Sequence, residues 1–283
     1  SGKVMRDAIY EFADSVIAGD NGYKCIRDLL SRATPRLKNK VKGESIVSST
    51  NLVTDDHLLE ETKSAVINLD NSYLSIQGPP GTGKTYITSS AVVELMRRGK
   101  RVGITSNSHK AIHVVLAKIE AEASKQNFDF VGIKKASGNL PETYYQGIDK
   151  SRRFIFNLDK PKDVGSIVRK EGIPDDTYGG NVIPLEDGKR LSFNSNTLIE
   201  RPRVWSSSRK QIEEENEEAP EGVEKTHPDE PWLQGAKLFA GTSWLFARKE
   251  FREQLDFLII DEAGQVSLAN VVAMGTAAKN IVL

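Results

Sequence analysis

Eight residues from Gly78 to Thr85, Gly-Pro-Pro-Gly-Thr-Gly-Lys-Thr, carry the first chemical signal in the chain. They fit the spacing Gly-x-x-x-x-Gly-Lys-Thr, in which backbone amides, one ammonium and one hydroxyl converge on phosphates. Pro79 and Pro80 have no N–H and set the approach of the chain into the turn. The amides that wrap an anion must then come from Gly81, Thr82, Gly83, Lys84 and Thr85. Gly81 and Gly83 also let the backbone come close to it. Lys84 is expected to reach the β- and γ-phosphates, and the Thr85 hydroxyl to ligate Mg²⁺. The nucleotide-binding set is Gly78, Pro79, Pro80, Gly81, Thr82, Gly83, Lys84, Thr85 and Tyr86, with Lys84 also counted as catalytic.

A second signal lies far downstream. "LDFLIIDEAGQ" ends an apolar, strand-like run with Asp261 and Glu262. An Asp at the carboxyl end of a strand beside the phosphate loop can hold Mg²⁺, through water. The adjacent Glu262 can orient or deprotonate the attacking water. Gln265 is placed to sense the γ-phosphate or to couple the site to nucleic acid. A third stretch, "ITSNSHKAIHVVL", is small and polar and then opens a helix. It suits a loop that holds a nucleic-acid strand by its phosphates, through helix-start amides, hydroxyls and Lys110.

The elements that must position these residues can be read from periodicity. "YLSIQ" (73–77) is a short buried-type strand before the phosphate loop, and a helix from about Gly83 to Arg98 follows, closed by Gly99. "RVGITS" is the next strand, and "SHKAIHVVLAKIEAEASKQ" the next helix. This alternation implies an α/β fold with a parallel sheet and crossover helices. It breaks after "FDFVGIKK" and resumes at "AKLFAGT", so an insertion interrupts the core. The expected organisation is an N-terminal helical segment and basic linker over 1–54 and a first core part over 55–126. An inserted accessory subdomain spans 127–235, and a second core part 236–283. Within the insertion, "GNVIPLEDGKRLSF" reads as a hairpin turning at Glu186-Asp187-Gly188. The stretch 213–231 carries nine carboxylates against one lysine, so 211–230 is expected to be a disordered acidic loop. Lys134, Lys135 and the basic residues of 150–162, near Tyr144 and Tyr145, read equally as a strand groove or a solvated face. Trp205, Trp232 and Trp244 read as packing residues.

Composition removes several function classes. The chain has 283 residues with 39 basic and 39 acidic side chains, so any nucleic-acid surface must be local. One cysteine, Cys25, leaves no internal disulfide and fits a reducing, cytoplasmic setting. No apolar run reaches the ~18 residues of a membrane helix, and polar residues interrupt any signal-peptide core in "SGKVMRDAIYEF". The four histidines are scattered and give no metal-ligand spacing with cysteine.

Taken as a set, "IQGPPGTGKTY", "GITSNSHKAI", "GTSWLFAR" and "LIIDEAGQVSLAN" resemble motifs I, Ia, Ic and II of superfamily 1 helicases. The Asp-Glu-x-x-Gln form of motif II is similar to the superfamily 1B group of nonsense-mediated-decay-type helicases. More narrowly, the chain resembles the helicase half of bacterial RecB-like nuclease–helicase fusions. The resemblance covers about 55–125 and 236–283. It implies a RecA-like phosphate-loop domain using ATP and Mg²⁺, with Thr85 and Asp261 on the metal and Glu262 as catalytic base. It also implies single-stranded nucleic acid, DNA over RNA, along Ser106, Asn107, Thr242 and Ser243. The helix upstream of motif I reads "LLEETKSAV" and lacks the Gln that reads adenine in the family. Motif III, a second RecA-like domain with its arginine fingers and a nuclease motif are all expected to lie outside these residues. The expected function is therefore an ATP-driven helicase or translocase motor domain. The rival is a nucleotide-dependent switch that controls a partner and unwinds nothing.

Overall fold

The computed structural model describes residues 2–41, 44–46, 55–78, 83–136, 140–148, 155–158, 182–184, 190–192 and 236–283. Pro79–Thr82 and the acidic stretch 211–230 lie outside the described residues, as do 150–154, 159–162, Trp205 and Trp232. The chain divides into two compact units, Ser1–Asp129 with Ala240–Leu283, and Phe130–Phe239.

The first unit is built on a parallel sheet. Its strands are β1 (Tyr73–Leu74), β2 (Val102–Thr105), β8 (Leu255–Ile260) and β9 (Ala278–Val282), in the order β1-β9-β8-β2. Register runs Tyr73↔Ile281, Leu258↔Ile281 and Thr105↔Ile260. Every residue of β2 is buried, and so are Phe257 to Ile260 of β8. Both strands are mostly apolar for that reason, as strands covered on both faces are. Gly103 is required where they pack: a Cβ there would stand 2.7 Å from Leu255 Cδ1 and 2.9 Å from Phe246 Cε1.

Helices α3 (Asp55–Ile67), α4 (Lys84–Arg97) and α5 (His109–Lys125) pack one against the next. Ile112, Val115, Leu116, Ile119 and Ala123 recur at helical spacing on α5 and are all buried. A second group comprises α1 (Gly2–Ala18), α2 (Lys24–Ser31) and α7 (Leu268–Gly275), with α6 (Ser243–Phe246) against α7. Met5, Ala8 and Phe12 form the buried stripe of α1. In α2, Cys25 is 1% exposed and its Sγ donates to the Ala278 carbonyl at 3.2 Å. Burial pushes this thiol up to about 12.

The basic stretch after α2 differs from a plain linker. Leu37 is buried and bridges Leu69, the Lys38 N–H donates to the Asn68 carbonyl at 2.8 Å, and Arg36 pairs with Asp28 at 2.6 Å. These contacts pin it without any periodic pattern in the sequence.

In the second unit, β3 (Gly132–Lys135) and β4 (Ile155–Leu158) run parallel. β5 (Val182–Pro184) and β6 (Arg190–Ser192) form the antiparallel pair of the expected hairpin, with Ile183 opposite Leu191. Lys134 is fully buried in β3, so it belongs to no exposed basic face. β7 (Leu238–Ala240) leads back into the first unit, where the Gly241 N–H donates to the Ile104 carbonyl at 3.1 Å. Trp244, expected as a packing residue, is 43% exposed; Leu245 and Phe246 beside it are buried. Among the described residues, no helix is long and apolar enough to cross a membrane.

Candidate functional site

Parallel strands deliver their carboxyl ends to one edge, and the loops that leave that edge build the site. β1 runs on as Ser75 to Gly78, with the Ile76 N–H on the Leu283 carbonyl at 2.8 Å. β8 ends at Ile260, and the N–H of the next residue, Asp261, donates to the Thr105 carbonyl at 2.9 Å. Between them lies a cavity of about 400 Å³, lined by Ser75, Gln77, Gly78, Lys84, Thr88, Asp261, Glu262, Ala263 and Gly264, among others. This volume is within the usual range for small-ligand sites.

On one wall, Gly83 caps α4 with φ 82°, a left-handed conformation that glycine adopts without strain. The fourteen-residue helix α4 begins at Lys84, so its first-turn amides and the positive end of its dipole lie at the cavity. Lys84 Nζ donates to the Gly78 carbonyl across the loop. Thr85 is half-buried and Tyr86 exposed; both stand in the first turn of α4 but outside the described lining of the cavity.

The opposite wall is acidic. Burial, and then the charge of Glu262, raise the Asp261 carboxyl above its ordinary range, and Lys84 partly opposes them. A half-buried carboxylate held up in this way gains when a divalent cation shares its charge. Among the described residues no group of three or more His, Cys, Asp or Glu forms a metal cage. Mg²⁺ at phosphates needs none, since one or two protein oxygens, water and the phosphates complete its octahedron. The Asp261 carboxylate on the cavity wall is a donor of the type such an ion takes. Glu262 has φ 53°, an uncommon conformation for a non-glycine residue, and caps a 3-10 turn over Ala263–Gln265. Its Oε2 accepts from Gln265 Nε2 at 3.0 Å.

The neighbouring part of the edge carries the other sequence-derived residues. Ser106 is buried and Asn107 exposed at the end of β2; Ser108 caps α5 by accepting from the Ala111 N–H at 3.1 Å, and Lys110 is exposed in its first turn. Thr242 and Ser243 follow Gly241, whose bond to Ile104 sets them beside the carboxyl end of β2. Asn107 Nδ2 donates to Gln265 Oε1. Sequence reasoning missed Ser75, Gln77, Ala263 and Gly264 as cavity residues. Their position just beyond β1 and β8 was the available signal, because such residues face the cleft in open parallel sheets.

A parallel sheet with a lysine-bearing loop after one strand and a carboxylate pair after another defines a phosphate-loop nucleotide-hydrolysing domain of the RecA-like kind. The family described as an AAA domain, AAA_11, matches residues 53–283. The chain belongs to this family, and its domain is of the superfamily 1 helicase type, a helicase-like ATPase motor. Members generally use ATP with Mg²⁺. No curated protein matches the chain.

Proposed function

We propose that this domain hydrolyses ATP to move along single-stranded nucleic acid, DNA over RNA, with subtype 1B character from the Asp-Glu-x-x-Gln of motif II. The observation that carries the reading is one edge bearing two sites in contact. The cavity holds Lys84, Asp261 and Glu262, and the Glu262 partner Gln265 touches Asn107 at the end of β2. Lys84, the α4 amides and the loop from Gly78 bind the triphosphate. Asp261 and Thr85 hold Mg²⁺, which when bound neutralises charge on the β- and γ-phosphates. Glu262 orients the attacking water and takes its proton. Ser106, Asn107, Lys110, Thr242 and Ser243 offer hydroxyls, amides and one ammonium to the phosphates of a strand.

Charge on the γ-phosphate needs a further cation, and an arginine finger is worth ~10³–10⁵ in rate. No arginine lines the described part of the cavity, and Arg97 and Arg98 pair with Glu94 at the far end of α4. At 1.5 Å per residue that end is roughly 20 Å from the loop. Slow, Glu262-dependent turnover is expected from the 283 residues alone, and a second RecA-like domain would supply the finger. The test is phosphate release by the chain and by Glu262→Gln, together with fluorescence anisotropy of labelled oligo-dT and oligo-U. Strand binding that weakens steeply with salt supports the motor reading. Nucleotide binding with no affinity for either strand would replace it with the switch.

A further inference from the structure

Three side chains join the strand edge to the acidic wall. Asn107 Nδ2 donates to Gln265 Oε1, and Gln265 Nε2 donates to Glu262 Oε2 at 3.0 Å. Ser106 Oγ makes a long 3.4 Å contact with Asn107 Oδ1. Asn107 and Gln265 are 158 positions apart in sequence. They meet because β2 and β8 are paired neighbours, in register to Thr105↔Ile260, and each loop leaves the same edge.

A carboxamide has a direction. By donating to the Gln265 oxygen, Asn107 turns the Gln265 N–H₂ toward Glu262. Asn107 thereby sets, through one intermediate, where the Glu262 carboxylate rests. Asn107, Gln265 and Glu262 are all exposed, so water or a ligand can displace each bond at small net cost. We infer that Asn107 is a positioning residue that couples strand occupancy to Glu262 through Gln265, an inference that rests on the motor reading above. A phosphate oxygen is a charged acceptor and a stronger partner for the Asn107 N–H than a carboxamide oxygen. A strand phosphate at Asn107 therefore competes with Gln265. From the other side, water at a bound γ-phosphate draws Glu262 away from Gln265, and the Gln265 amide then loses the partner that fixed it and releases Asn107. Strand and nucleotide favour the same open arrangement, so each tightens the binding of the other by the same factor.

The experiment measures oligo-dT and oligo-U affinity by fluorescence anisotropy, with and without Mg²⁺ and the β,γ-imido analogue of ATP. The analogue should tighten strand binding by roughly 2- to 12-fold, the worth of one hydrogen bond. Asn107→Leu and Gln265→Leu should each bring that ratio to one, and the double variant should do no more than either alone. A merely structural loss would lower melting temperature or affinity and leave the ratio in place. An analogue that loosens strand binding, or a ratio that survives both substitutions, overturns the relay while the motor reading stands. A chain that binds neither oligonucleotide overturns both.

Discussion

Two left-handed turns flank the same cavity, and they are not equivalent. Gly83, at φ 82°, adopts its conformation freely, and a Cβ there would meet nothing closer than Leu59 Cδ2 at 3.9 Å. Glu262, at φ 53°, carries a full side chain in a region that costs an L-residue roughly 1–2 kcal/mol. Gly83 is thus suited to its backbone on one side of the cavity, and Glu262 on the other side is not. Strain of this kind persists where surrounding structure holds it, here the β8 pairing that ends at Asp261 and the 3-10 turn that begins after Glu262. At Gly83 the left-handed turn needs no side chain, whereas at Glu262 it fixes the direction in which a side chain leaves the backbone.

The largest test of this contrast removes the charge on the Lys84 wall of the cavity. Lys84→Ala should abolish measurable Mg²⁺-ATP binding by calorimetry while the chain stays folded, because Lys84 is only half-buried at an open cavity. Unchanged affinity would break the assignment of that wall. Gly83→Ala comes next. With no clash to relieve, it should cost about 1–2 kcal/mol through backbone conformation alone, read as a lowered denaturant midpoint. Glu262→Gly should move the other way, raising stability by up to ~1 kcal/mol as the strain is released, while Glu262-dependent turnover disappears. Loss of stability in this variant would mean the Gln265 contact outweighs the strain.

The smallest effect concerns protons. The Asp261 carboxyl is raised in the folded chain, so the proton binds the folded state more tightly than the unfolded one. Its contribution to stability is fully present below the ordinary carboxylate value and is lost as pH rises through the raised value. In chelator, melting temperature should fall slightly across that interval, and Asp261→Asn should remove the fall. With Mg²⁺ and nucleotide the protonated form loses its advantage, so binding should weaken as pH drops through the same interval.

Sequence pointed to the Lys84 side of the cavity because glycines and a lysine at fixed spacing are what a phosphate loop requires. The parallel strands were equally open to reading, since β2 and Phe257 to Ile260 of β8 are buried and rich in Val, Ile, Leu and Phe. The acidic wall was legible only in part. Asp261 and Glu262 stand out as carboxylates after an apolar run, but no glycine announces the left-handed turn. The Asn107–Gln265 contact depends on strand order, which local spacing does not encode. Lys134 misled because a lysine is ordinarily solvated, yet it is buried in β3 together with Gly132 and Ile133 before it. The docking of 36–38 rests on one β-bridge, one ion pair and hydrogen bonds to 68–72, and backbone contacts of that kind leave no periodicity in the sequence.

Cys25 has a practical consequence for spectroscopy. Its thiol is the one sulfhydryl of the chain, is 1% exposed and is held near pKa 12, so at neutral pH it offers almost no thiolate to an alkylating reagent. A cysteine introduced at an exposed position, Ile17 for example at 84% exposure, would take a maleimide dye selectively with the native residue left in place. Conversely, any slow labelling of Cys25 itself must wait for α2 to lift away from β9, so its rate measures how often that part of the molecule opens.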